Sequence, residues 1–213
     1  MIVKQKELFT KWKKDRESFV SDGLVDEAEY LNAPRKLLFL LKEVNGGESW
    51  DLCEFLRKGG RAQTWNNVAR WVEGIFNLER EIPWTELDAD KKSNEQRRLD
   101  MLKKICAVNV KKSPGGHTSV NDEICDAGKR DAEYLREQLA IYEPEIIICC
   151  GTDWVYSKEL AINELQWQRT SRGIWYTYDG NRLVIAYLHP EARVQSSLIY
   201  YGLIDAVKEI LAY

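Results

Sequence analysis

Four short stretches of the chain are apolar at nearly every position instead of every second one. They are Leu37–Leu41, Ile105–Val110, Ile146–Cys150 and the run from Arg182 to Leu188. A strand with both faces apolar has both faces covered, which is the situation of a central strand in a parallel sheet. Between these runs the period lengthens to that of a helix. Val68, Trp71, Val72 and Ile75 share one face of residues Trp65 to Phe76, and Ala132, Leu135, Leu139 and Tyr142 align in what reads as one long helix from Asp122 to Tyr142, ended by Pro144. Helices are also predicted over Asn94 to Lys104, Asp153 to Asn163 and Leu198 to Ala212. The first thirty residues read as helical, with Leu8, Trp12, Phe19, Ala28 and Leu31 apolar. Lys42 to Thr64, which holds Gly46, Gly47, Gly59 and Gly60, reads as loop. Asp179-Gly180 suits a hairpin turn before the last strand. Strands alternating with helices predict an α/β fold, a three-layer α/β/α sandwich around a central, mainly parallel, four-stranded sheet. The expected organisation is a single domain over residues 1–213, with residues 1–33 an accessory helical segment.

Composition narrows the chemistry. Of 213 residues, 44% are hydrophobic, enough for a sizeable core. Lys plus Arg is 31 against 34 for Asp plus Glu, a net charge of -3 that excludes indiscriminate binding of phosphate while leaving room for a local basic patch. Two histidines, His117 and His189, cannot build a His-rich metal centre. Five cysteines without a CxxC pair read as buried thiols, so no metal is expected. The lysine-rich N-terminus has no long apolar run, and no stretch is long enough for a bilayer; a cytoplasmic protein without membrane partners is expected.

In parallel sheets ligands bind outside the carboxyl ends of the strands, so the segments following the apolar runs matter most. They are Lys42-Glu43-Val44-Asn45-Gly46-Gly47, Asn109-Val110-Lys111-Lys112-Ser113-Pro114-Gly115-Gly116-His117 and His189-Pro190-Glu191-Ala192-Arg193. Together they offer a carboxylate, amides, two imidazoles and flexible glycine backbone. Glu43 can orient water or stabilise a cation. The Asn109 amide has the donor and acceptor needed to read a nucleobase edge. His189 can hold a developing anion through a hydrogen bond.

The order of these segments resembles the uracil-DNA glycosylase superfamily over Leu37 to about Leu211, and is most similar to its iron–sulfur branch. Lys42-Glu43-Val44-Asn45-Gly46 stands where the family has Gly-Glu-Ala-Pro-Gly, keeping the glutamate and the final glycine. Glu54-Phe55 followed by Gly59-Gly60 matches the stretch whose aromatic ring stacks on the flipped base. Asn109-Val110-Lys111-Lys112 matches the Asn-x-x-Lys strand end, and His189-Pro190 opens the family's last motif. The cluster cysteines are absent, with Asp131 about where the helix cysteine would be, so no cofactor is expected.

The resemblance implies Glu43 and His189 as catalytic residues and Asn109, Phe55 and Asn45 as base-binding residues. It implies Lys111, Lys112, His117 and Arg193 as DNA contacts, with Arg57, Lys58 and Arg61 completing a basic rim. The partner would be DNA, single- or double-stranded, and the reaction hydrolysis of the N-glycosidic bond of a flipped, damaged base. The altered first motif keeps two alternatives open: an inactive relative that binds nucleic acid, a free base or a nucleotide, and an interaction protein on the same fold. Trp50 is a further candidate for the pocket wall.

Overall fold

The structure, a computed structural model, describes residues 1–14, 16–46 and 50–212. Gly47, part of the first predicted loop, lies outside the described residues. The four apolar runs are strands, and they form the middle of a seven-stranded mixed sheet. These are β2 (Leu37–Leu41), β3 (Ile105–Asn109), β4 (Ile146–Cys150) and β7 (Arg182–Tyr187). Their pairings, β3 with β2, β2 with β4 and β4 with β7, are all parallel. The expected four strands are therefore extended by three more: the first arm of the expected hairpin, and two short strands that the sequence pattern did not show. On one edge β1 (Gly23–Leu24) runs antiparallel to β3; on the other β6 (Trp175–Asp179) runs antiparallel to β7 and carries β5 (Gln168–Arg169). The spatial order is β1-β3-β2-β4-β7-β6-β5. The Asp179-Gly180 hairpin forms as read, with Gly180 at φ +62 and Asp179 opposite Arg182.

Strand side chains alternate between two separate cores, because successive residues point to opposite faces. Leu37, Phe39, Ile146, Ile148 and Ile185 pack against the helices of one face. These include α3 (Leu52–Arg57), α4 (Ala62–Phe76) and a closing helix, α10 (Ser196–Leu211). Leu38, Leu40, Cys106, Val108 and Ile147 pack on the other face, against α1 (Ile2–Trp12), α7 (Asn121–Arg130) and α8 (Ala132–Tyr142). Each fully buried Leu or Ile side chain contributes roughly 1.5–3 kcal/mol, so the central strands hold both layers. The remaining helical pieces are α2 (Glu27–Leu31), α5 (Trp84–Leu87), α6 (Lys91–Met101) and α9 (Asp153–Val155), the last continued by a π-turn to Leu160.

Three expectations need correction. The first thirty residues are not one helical region: α1 ends at Trp12, Gly23–Leu24 form β1, and a second, short helix follows at Glu27–Leu31. Residues 52–57, expected as loop, form α3, whose N-cap Asp51 accepts a hydrogen bond from the Glu54 backbone N–H at 2.8 Å. The long helix over Asp122 to Tyr142 is two helices, α7 and α8, that break at Asp131. There the buried Asp131 carboxylate pairs with Arg16 and Arg130. Among the described residues no helix is long and apolar enough to cross a membrane.

Candidate functional site

The carboxyl ends of β2, β3, β4 and β7 open into one cleft of about 630 Å³. Glu43 and Asn45 reach it from the β2 end, Asn109 and His117 from β3 and its loop, Gly151 from β4, and His189 and Arg193 from β7. Phe55 closes one wall from α3, with Trp50 edge-on to it at 5.3 Å between ring centroids. Seven of the nine residues singled out from sequence thus meet in one space, and Trp50 joins them. Lys111 and Lys112 do not line it.

The β2 and β3 exits run side by side because their backbones stay bonded past the strands. Val110 N–H donates to the Leu41 carbonyl and Lys111 N–H to that of Lys42, each at 2.9 Å. Further on, Gly115 N–H donates to the Val44 carbonyl at 2.8 Å and Gly46 N–H to that of Gly115 at 3.1 Å. This zipper lays the 113–116 loop over Glu43. A β-carbon on Gly115 would stand 2.0 Å from the Glu43 carboxyl carbon, so only glycine permits the approach. The Glu43 side chain is consequently 3% exposed, and Lys111 Nζ lies 2.8 Å from Oε2. The contact is an ion pair without good alignment, since Oε2 has no geometrically satisfactory donor. Lys111 is also held by Glu123 at 2.6 Å. Burial pulls the Lys111 ammonium down, but its hydrogen bond to Glu123 and the nearby Glu43 carboxylate outweigh that and leave its pKa raised.

Asn109 is buried at the floor. Its backbone N–H donates to the Asp22 carboxylate at 2.7 Å and its Nδ2 to the same oxygen at 3.3 Å. Oδ1 has no protein partner among the described residues and is left to the cleft. His189 sits on the opposite side. Its Nδ1 accepts from the Glu191 backbone N–H at 3.1 Å, so the neutral ring carries its proton on Nε2. By surface area the side chain is open, yet the cleft walls surround it with protein atoms. This partial desolvation lowers its pKa, with Lys42 adding to the effect and Glu191 opposing it. The loop around it is tied to α4 by Asn67 Nδ2, which donates to the Pro190 carbonyl at 2.8 Å, and by Thr64 and Arg61, which both bond Glu191.

The basic rim is largely dismantled by these contacts. Lys112, expected on DNA, is completely buried: its Nζ lies 2.7 and 2.8 Å from the two Asp22 oxygens, 2.9 Å from Gln138 Oε1 and over the Trp12 ring. Lys111 is consumed by Glu43 and Glu123, Lys58 by Glu54 and Arg61 by Glu191, and Arg57 Nε donates to the Val25 carbonyl. Arg193 is exposed at the mouth with no partner among the described residues, and His117 is an exposed member of the same lining.

Sequence reasoning missed Asp22, which holds Asn109 from outside the lining, and Asn67 and Thr64, which hold the Pro190-Glu191 segment next to His189. The available signal for Asp22 was a charge set between Val20 and Leu24-Val25. The arrangement gives an acceptor at Asn109, a donor at His189, a stacking face at Phe55 and a carboxylate beneath. No protein-family model matches this chain, and no curated protein matches it.

Proposed function

We propose that this protein takes a nucleobase flipped out of DNA into the cleft and hydrolyses its N-glycosidic bond, on a uracil-DNA glycosylase-like α/β/α architecture whose core is the four parallel strands. The observation that carries the reading is the convergence of Asn109, Phe55 and His189, distant in sequence, on one cleft at the carboxyl ends of parallel strands.

In the reaction the bond between the sugar C1′ and the base nitrogen breaks, and its electron pair leaves with the base. Negative charge then collects on a base carbonyl oxygen. A neutral His189 with its Nε2–H free is a donor for that oxygen, and it needs no change of protonation to act. Asn109 accepts from the base edge, and Phe55 offers a half-buried ring for stacking. The sugar becomes oxocarbenium-like and is captured by water at C1′, and the proton the water loses ends on the expelled base anion, so that the free base leaves neutral. Glu43 supplies negative charge near that centre from beneath the Gly115 loop, where Lys111 holds it.

The test is release of base from single- and double-stranded oligonucleotides containing uracil, hypoxanthine or xanthine, read as alkali-labile abasic sites. Cleavage by the wild type, falling by about 10²–10³-fold in Asn109→Ala and His189→Ala, is the expected result. No cleavage of any of the three substrates overturns it. One observation favours a second reading, a binder of free base or nucleotide that does not cleave. Glu43 is shut beneath Gly115 against Lys111, and few cations remain for a DNA backbone. Binding of free uracil without oligonucleotide cleavage identifies that case.

A further inference from the structure

Behind Asn109, outside the cleft lining, Asp22 is completely buried and every neighbour it bonds is a donor. It accepts from Asn109 N at 2.7 Å and Asn109 Nδ2 at 3.3 Å, from Lys112 Nζ at 2.7 and 2.8 Å, and from Gln138 Nε2 at 2.9 Å. The direction of these bonds is fixed further back. Gln138 Nε2 also donates to Tyr142 Oη, and Tyr142 Oη donates to Gln5 Oε1, which takes the Leu24 N–H as well. An inverted Asn109 amide would set Oδ1 against a carboxylate oxygen in a site without water-like dielectric, a strongly unfavourable contact. The amide therefore has one orientation, and that orientation is set from outside the cleft.

Asp22 is held in place by the segment that carries it. Val20 N–H donates to the Lys112 carbonyl at 2.7 Å, Gly23 pairs with Ala107 across β1 and β3, and Ser21 bridges to Asp51. Gly23 has φ +100, and a β-carbon there would come within 1.9 Å of Tyr142 Oη, so the chain passes α8 only as glycine.

We propose that Asp22 is a positioning residue for base selection. By holding Nδ2 of Asn109 it presents Oδ1 to the cleft and selects bases with a ring N–H beside a carbonyl, as in uracil, over bases with an unprotonated ring nitrogen there, as in cytosine. The inference rests on the reading that the cleft takes a nucleobase, but it does not need cleavage. A carboxylate can only accept; a carboxamide at position 22 could donate too, and would let the Asn109 amide invert.

Equilibrium binding of free uracil, 3-methyluracil and cytosine to the full chain tests it, by calorimetry, with Asn109→Ala as control for occupancy of the site. The variants are Asp22→Asn and the double change Asp22→Asn with Lys112→Met, which removes both buried charges together and so avoids a lone cation; near-ultraviolet circular dichroism checks that they fold. The wild type is expected to bind uracil at least about tenfold more tightly than either other base, since one good edge contact discriminates by about that factor or more. The uracil-to-cytosine ratio is expected to fall by about tenfold in the variants. Equal affinity of the wild type for uracil and 3-methyluracil overturns the inference whatever the variants do. Folded variants that keep the wild-type ratio overturn it too, including variants that weaken all three bases alike, and both results leave the base-binding reading standing. A wild type that binds none of the bases removes that reading, and the role of Asp22 with it.

Discussion

The two sides of the cleft are built from similar residue types and stabilised in opposite ways. At the β3 exit a carboxylate, an ammonium and amides are enclosed together, and each donor meets an acceptor in the dry interior. At the β7 exit, His189, Glu191 and Arg193 ride on a half-open loop fastened by bonds to Asn67, Thr64 and Arg61. Burial makes the first side rigid and sensitive to any missing partner, because an unpaired buried charge cannot be rescued by water. The second side tolerates substitution, since solvent replaces lost contacts. In the proposed reaction the first side recognises and the second side reacts, so the enclosed half sets which base enters and the open half meets the leaving group.

That contrast is broken most severely by Lys112→Ala, which leaves the Asp22 carboxylate buried without its cation. Urea unfolding is expected to show a loss of about 3–5 kcal/mol. His189→Ala is the matching change on the open side: base release falls by about 10²–10³-fold while stability stays within about 0.5 kcal/mol of the wild type. An equal loss of stability in both variants would erase the distinction. Between these lies Gly115→Ala, whose new β-carbon would collide with the Glu43 carboxyl group. Displacing it is expected to lower stability by about 1–3 kcal/mol and to reduce cleavage with it, measured by thermal unfolding and oligonucleotide assay on the same preparation.

A gentler probe is pH. The folded pKa of His189 lies below the ordinary value of 6.5, so in acid the unfolded chain binds a proton that the folded chain resists. The contribution of the neutral ring is complete above about pH 6.5 and is lost as the pH falls below it, down through the folded pKa. His189→Gln should remove this segment from a plot of unfolding free energy against pH, and a plot unaltered by the substitution would contradict it. The smallest effect is expected from Arg193→Ala, which should weaken DNA binding evenly across sequences. It should also reduce the slope of log affinity against log salt by about 1.

How far the sequence was readable differs across the same divide. The central strands were visible because both faces of each are buried, which makes Leu37–Leu41 and Ile146–Cys150 apolar throughout. β1 and β5, of two residues each, carry no periodicity and become strands only through a neighbour already in place. The helix break at Asp131 was hidden because the apolar spacing continues across it; the cause is a buried carboxylate meeting Arg16, 115 positions away. The cleft residues that follow strands were found, since position after an apolar run is a local property. Lys112 was misread as a surface cation for the opposite reason. Nothing next to it in the chain announces that Trp12, Asp22 and Gln138 will close around it.

The Asp22 contacts also bear on the order in which the protein can assemble. Asp22 is separated from Asn109 by 87 positions and from Gln138 by 116. Chains emerge from the ribosome N-terminus first, and contacts between distant positions must wait for the later partner. Residues 20–25 therefore pass through a long interval of synthesis with an aspartate that has nothing to bind. The floor of the cleft beneath Asn109 closes only after α8 has been made, and the β4 and β7 exits that complete the lining are made later still.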